Sequence, residues 1–312
     1  MFLAILTLVG GVVGSGFITG KEIVVFFARN GSLAYLGVFI AFILFYVFFS
    51  VILFKSDKVI KKLSLSKTFK AISFTLSVIL SSAMFGSICQ ISSYYGIVIA
   101  FLILAITLIL SFLVFKKGLG MLGKLNFVLV PIMIILFIAI FLPMIGFRKQ
   151  IQPTGSVISS VWFSILYVVL NASNMAVLIA SLGQKFSHKQ KVQVAFYSAL
   201  ALGFLLLMTV SVLLINLEIL NQDMPLLHLC NSWQRVVMGL LIFLGSETSL
   251  LSNVFVSSSS LRGLNINEMI NFSLSIILPL VISLLGFGIV VTYLYPLASV
   301  IGCLLLLIIA FL

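Results

Sequence analysis

The strongest constraint on this chain is a series of apolar runs about 20 residues long, the length a helix needs to cross a bilayer. YLGVFIAFILFYVFFSVILF (35–54) is one, and it carries no charge at all. Of the 312 residues, 62% are hydrophobic and only 8% charged. A water-soluble fold has about a quarter of its residues charged, so this chain cannot cover its apolar surface in water. Sustained runs, rather than short alternating segments, argue for helices over a β-barrel. The expectation is an all-α integral membrane protein.

Ten spans are expected, at about 1–28, 35–54, 68–91, 95–115, 126–146, 157–183, 192–217, 234–258, 269–288 and 291–312. Two long runs have to be divided, one at QISSYYG (90–96) and one at GFG or TYLYP (286–296), where glycine, proline and polar residues punctuate the pattern. The net charge of +12 does not indicate nucleic acid, because the basic residues cluster in the connections. Lys55, Lys58, Lys61, Lys62, Lys67, Lys70, Lys116, Lys117, Lys124, Lys185, Lys189, Lys191 and Arg262 fall on one side if ten spans alternate. Arg29, Arg148, Lys149 and Arg235 fall on the other, with Glu218, Asp223 and His228. The positive-inside bias then places both termini in the cytoplasm, with a bacterial plasma membrane as the expected location. The first run is too long for a cleavable signal and lacks its basic start and small-residue cleavage site. Cys89, Cys230 and Cys303 are widely spaced and form no pairing or metal pattern.

The first run contains GGVVGSGFITGKE (10–22). A glycine costs about 1 kcal/mol in a helix interior relative to alanine, so a regular helix there is doubtful. Close helix packing through small residues is one reading. Unwinding near 13–16 is the other; it is tolerated at membrane depth only where freed backbone groups line a cavity or meet a ligand. A half-helix starting near Phe17 would present N–H groups suited to an anionic group, and the carbonyls before it would suit a sodium ion. The sixth run holds NASN, that is Asn171, Ala172, Ser173 and Asn174, in its middle. Alone, these polar residues could bond between helices or bind a ligand; matched against the break in the first run, they are expected to form a ligand site, with non-helical backbone at about 171–174 facing that at 13–16 near the midplane. The halves 1–146 and 157–312 each open on an unusually polar span. With five spans per half the second must be inverted, giving a single transporter domain over 1–312 with discontinuous helices 1 and 6.

The stretch VVGSGFITGKEI (12–23), followed by FFARNG (26–31), resembles the YkvI-type permease family. That family lies within the amino acid–polyamine–organocation superfamily, which has the LeuT-like fold. The resemblance implies a five-plus-five inverted repeat with substrate between spans 1 and 6, at Gly14, Ser15, Gly16 and NASN. It implies a sodium site at the carbonyls of Gly10 and Val13 and, from GSETS in the eighth span, the hydroxyls of Thr248 and Ser249. Lys21 stands where the family commonly has glutamine.

Only six acids are present, and two of them, Glu22 and Glu247, lie inside expected spans. An intramembrane acid marks a functional site by default, and both are candidates for ion or proton coupling. Glu22 lies about 9 Å along the half-helix from Gly16 at 1.5 Å per residue, where pairing with Lys21 or Arg29 is the bland alternative. Gln90 and Ser92 are expected to end the third span, with Tyr94 and Tyr95 as interfacial anchors. SSSS (257–260) reads as a span end or packing strip. His188 and His228 are expected in loops, without a metal set or triad. With so few His, Asp and Glu residues, an enzyme is not expected. The function expected is secondary transport of an amino acid or similar small zwitterion, coupled to sodium or protons. The alternative is a ligand sensor on the same fold, without net transport. No cofactor beyond sodium is implied.

The topology is checked by cysteine labelling of intact cells, with the native cysteines replaced. Lys61→Cys should resist an impermeant maleimide, and Asn221→Cys should react.

Overall fold

The computed structural model describes residues 1–146, 153–262, 264 and 266–312. Arg148 and Lys149 lie outside the described residues, as do the side chains of Ser92, Tyr94 and Tyr95. The described chain is helical, with one isolated β-bridge between Gly31 and Pro153. Among the described residues, seven helices are long and apolar enough to cross a membrane, an architecture consistent with a multi-pass helical membrane protein.

The first run is not one helix but three: α1 (Phe2–Val12), α2 (Ser15–Ile18) and α3 (Lys21–Phe26). Next come α4 (Ala34–Phe54), α5 (Ser56–Leu65), α6 (Lys67–Tyr95), α7 (Ile97–Lys117) and α8 (Leu119–Phe141). The second half holds α9 (Val157–Asn174), α10 (Ala176–Gly183), α11 (His188–Ile215), α12 (Pro225–His228) and α13 (Ser232–Leu261). It closes with α14 (Glu268–Ser283), α15 (Phe287–Ile289), a π-helical turn (Val290–Leu294) and α16 (Tyr295–Ala310). The long runs divide at Gly96 and Gly286, both with positive φ, within the punctuation expected from sequence.

Four connections expected as loops are shorter or more ordered than that. The lysine-rich 55–70 is mostly α5, whose Ser56, Val59 and Leu63 are buried while Lys58 and Lys61 are exposed. An apolar stripe opposite the lysines is enough to order it. The 116–125 connection shrinks to Gly118 between α7 and α8. His188 starts α11, with its ring against Phe54 at 4.8 Å, and His228 ends α12. Lys116 bonds Glu268 at 2.6 Å, and this holds the exposed Glu268 carboxyl below the usual carboxylate range. A depressed carboxyl pKa stabilises the fold at neutral pH, an effect that fades as acid protonates the group.

At the centre lies α13. In its most apolar stretch 89% is buried, against 39% for Ala34–Phe54 and 33% for Leu119–Met144. A helix this rich in Gly and Ser can be central because its hydroxyls bond back to their own helix. Ser246 donates to Ile242 O, Ser252 to Thr248 O and Ser260 to Val256 O, at 2.7 to 2.9 Å. This back-bonding satisfies the hydroxyl donors within the helix, with Ser246 also meeting Ser87 of α6 at 2.9 Å, and leaves a narrow surface for close approach. Of SSSS, Ser257, Ser258 and Ser260 are buried packing residues in the last turns of α13.

Gly20, between α2 and α3, has φ +81°, and a Cβ there would lie 2.9 Å from Leu226 Cγ. Gly120 has open space around it. Gly20→Ala should cost about 1 kcal/mol or more through left-handed strain, lowering the melting temperature by about 2–4 °C. Gly120→Ala, inside α8, should leave it unchanged or raise it slightly. Thermal unfolding of the two purified variants compares them directly.

Candidate functional site

The break in the first run sits at Val13 and Gly14. Val13 has φ −82° and ψ 75°, close to an inverse γ-turn, and Gly14 N–H bonds Val12 O at 2.9 Å across it. In a continuous helix Gly14 N–H would bond Gly10 O, and Ser15 N–H would bond Gly11 O. Ser15 instead directs its N–H and its hydroxyl at Met84 Sδ on α6, at 3.4 and 3.3 Å. The carbonyls so freed are taken by one side chain of α13: Ser249 Oγ lies 3.0 Å from Gly10 O and 3.1 Å from Gly11 O. Glycine at 14 is required because a Cβ would meet Met84 Cε and Ser249 Oγ at 2.8 Å. Gly245 matches it on α13, 3.4 Å from Gly14 O at its Cβ position.

Of the residues expected around a cation, Ser249 reaches the Gly10 carbonyl, and Thr248 Cβ lies 3.3 Å from the Gly10 Cβ position while its hydroxyl bonds Gly245 O of its own helix at 3.2 Å; Val13 is the break itself. Sequence reasoning missed Asn126 of α8. It is fully buried, its Cγ lies 3.6 Å from the Gly10 Cβ position, and neither amide atom has a partner. A lone Asn at the head of an apolar run was the available signal. Glu247 does not join this group. It lies about 100° and 200° around the helix from Thr248 and Ser249, and its Oε1 accepts the Thr107 hydroxyl of α7. Its Oε2 is buried without a partner.

The expectation for the sixth run is corrected. NASN is helical, and the interruption is a one-residue turn at Met175. Hydrogen bonds from Met175 N–H to Asn171 O (3.1 Å) and from Ile179 N–H to Met175 O (2.8 Å) span it. The NASN side chains supply what a non-helical backbone was invoked to explain, and they do so on three faces. Asn171 Nδ2 bonds Tyr167 O (3.0 Å) and Glu22 Oε1 (3.4 Å). Ser173 packs on Gly302 of α16, and Asn174 Nδ2 bonds Asn253 Oδ1 of α13 at 2.8 Å. Ala172 is buried. The two interruptions still meet, because the Met175 thioether covers Gly11.

The half-helix after the break also differs from expectation. It begins at Ser15, lasts one turn, and stops at the left-handed Gly20. That second bend folds Glu22 back over Gly16, with Oε2 2.8 Å from the Gly16 Cβ position. Lys21 turns the other way, to Gln222 O at 3.0 Å and Asp223 at 3.4 Å, and Leu226 N–H bonds Thr19 O at 2.9 Å. Beyond Lys21 a cavity of about 760 Å³ is lined by Lys21, Arg29, Asp223, Phe287, Thr292 and Tyr293 among others.

No protein-family model and no curated protein matches the chain. Chemically, the geometry offers main-chain and hydroxyl oxygens for a cation at the break, and two separate buried acids, Glu22 and Glu247, bonded to different helices. Met84 closes the break from the α6 side. In a background without native cysteines, Ser15→Cys should react with a small soluble thiol reagent about tenfold faster when Met84→Ala is added, a ~1.4 kcal/mol easing of access. Equal rates would remove the closing role.

Proposed function

We propose that the chain is a secondary transporter of the LeuT-like class, related to the YkvI-type permeases. It moves an amino acid or similar small zwitterion by alternating access around a midplane site, in a bacterial plasma membrane with both termini cytoplasmic. The observation that carries this reading is the break at Val13–Gly14, whose freed carbonyls face the Ser249 hydroxyl of the deeply buried α13. Irregular backbone at membrane depth persists where it lines a ligand path.

The packing pattern supports ten spans in two inverted halves. Let α1–α3 correspond to α9–α10, α4 to α11, α6 to α13, α7 to α14, and α8 to α15–α16. Then α1 packs on α8 as α9 packs on α16, α4 on α9 as α11 on α1, and α14 on α6 as α7 on α13. The pairs α4–α11 and α6–α13 pack on each other, as elements beside a pseudo-two-fold axis do.

In the proposed cycle a sodium ion takes the oxygens of Gly10, Val13, Thr248 and Ser249, and the Ser249 hydroxyl turns its proton away from Gly10 O and Gly11 O. Asn126 can add its amide oxygen. Occupation ties α1 to α13, and departure lets them separate. Glu247, with one oxygen unpartnered, is the place for a coupling proton or a balancing charge.

Reconstituted proteoliposomes test this. Amino acids offered with an inward sodium or proton gradient should accumulate. Ser249→Ala should raise the sodium requirement about tenfold, one ligand's worth of affinity, if sodium couples. Glu247→Gln should abolish accumulation and keep exchange. Binding without uptake under any gradient would replace transport by sensing.

A further inference from the structure

Glu22 sits in a polar cluster that the cation site does not use. It is 3% exposed, and its one hydrogen bond, to Asn171, is long at 3.4 Å. Tyr167 stands one turn before Asn171 on α9, where its carbonyl accepts the same Asn171 amide, and Tyr295 opens α16 directly after the turn on which α3 packs. Both are fully buried, and neither phenol oxygen has a hydrogen-bond partner. Tyr295 is delivered by the π-helical turn Val290–Leu294, against which α3 packs; such turns mark functional positions more often than chance. Tyr167 is walled by Phe27, Phe26 and Phe45, with ring centroids 5.0, 5.6 and 5.8 Å away.

A buried carboxylate with two unpartnered phenols is one group short. A buried acid needs a cation or a proton, and buried hydroxyls need partners. Lys21, the nearest base in sequence, is committed to Gln222 O and Asp223 on the other side of α3. What the cluster lacks is a compact donor with one positive charge and several N–H groups, held between one carboxylate and two phenol oxygens inside aromatic walls. A primary ammonium has that chemistry: its hydrogen bonds to a carboxylate are charge-assisted, and aromatic faces attract it.

We propose that Glu22, Tyr167 and Tyr295, with Asn171, form the recognition site for the ammonium group of the transported molecule, so that the substrate class is a primary amine, with or without a carboxylate. The inference rests on the transport reading and reverses one element of it. The Glu22 carboxylate over Gly16 opposes an anionic group at that backbone, so the positive end of the ligand is the end held there.

The experiment is thermal unfolding of the full-length protein in detergent with matched probe sets. Each set holds an amino acid, its decarboxylated amine and its des-amino acid: alanine, ethylamine and propionate; valine, isobutylamine and isovalerate; phenylalanine, phenethylamine and 3-phenylpropionate. In at least one set the amino acid and the amine should both raise the melting temperature by about 2–5 °C at saturation, and the des-amino acid should not. Glu22→Gln should weaken that ligand roughly tenfold or more, and Tyr295→Phe and Tyr167→Phe a few-fold. The phenol variants carry the test if Glu22→Gln does not fold. The inference is overturned if no set shifts the protein, if a des-amino acid stabilises as well as its parent, or if a folded Glu22→Gln binds the amine as before. Loss of accumulation with unchanged amine affinity in Glu22→Gln would likewise overturn it, making Glu22 a coupling group. Amine binding without uptake in proteoliposomes would remove the transport reading and leave the ammonium site standing.

Discussion

The arrangement depends on one side chain, Ser249, taking over two main-chain carbonyls that α1 gives up at Val13. An unmet carbonyl inside a bilayer costs several kcal/mol, so an interrupted helix exists there only because another element meets the freed groups. Ser249 can do so because α13 comes very close, and it comes close because Gly245 and Gly14 face each other. The hydroxyls of α13 that do not reach across are absorbed by their own helix. A bond from a neutral hydroxyl can be exchanged for a bond to a cation without rebuilding the backbone, and that exchange is the switch the proposed cycle uses.

The acids divide the site further. Glu247 faces α7 through Thr107, and Glu22 faces α9 through Asn171. The two acids bond to different helices, so in the proposed cycle one can serve the driving ion and the other the transported molecule. Lys21 and Asp223 tie the α2–α3 bend to the segment before α12, and Leu226 adds a main-chain bond to Thr19.

Local features of the sequence were legible wherever one residue type has one physical use. The glycines at 10–16 marked the break to within a residue, the punctuation at Gly96 and Gly286 divided the long runs, and lone acids in apolar stretches proved buried. What could not be read was anything set by a neighbour distant in sequence. NASN looks like a break because asparagine is a poor helix former; it is helical because Tyr167 O, Glu22 and Asn253 absorb the amides. Met84, Asn126, Tyr167 and Tyr295 are ordinary in their own segments and become site residues only through packing. The α5 helix was hidden in a lysine cluster whose apolar stripe is three residues wide.

The claim that the Val13–Gly14 break is a ligand-responsive joint is tested most directly by hydrogen exchange of the full-length protein, read on peptides covering 10–20. The account predicts that these amides exchange faster than those of the uninterrupted α4, and that sodium together with an accumulated substrate slows them selectively. Protection equal to that of α4, unchanged by any ion or ligand that the protein accumulates, would contradict it.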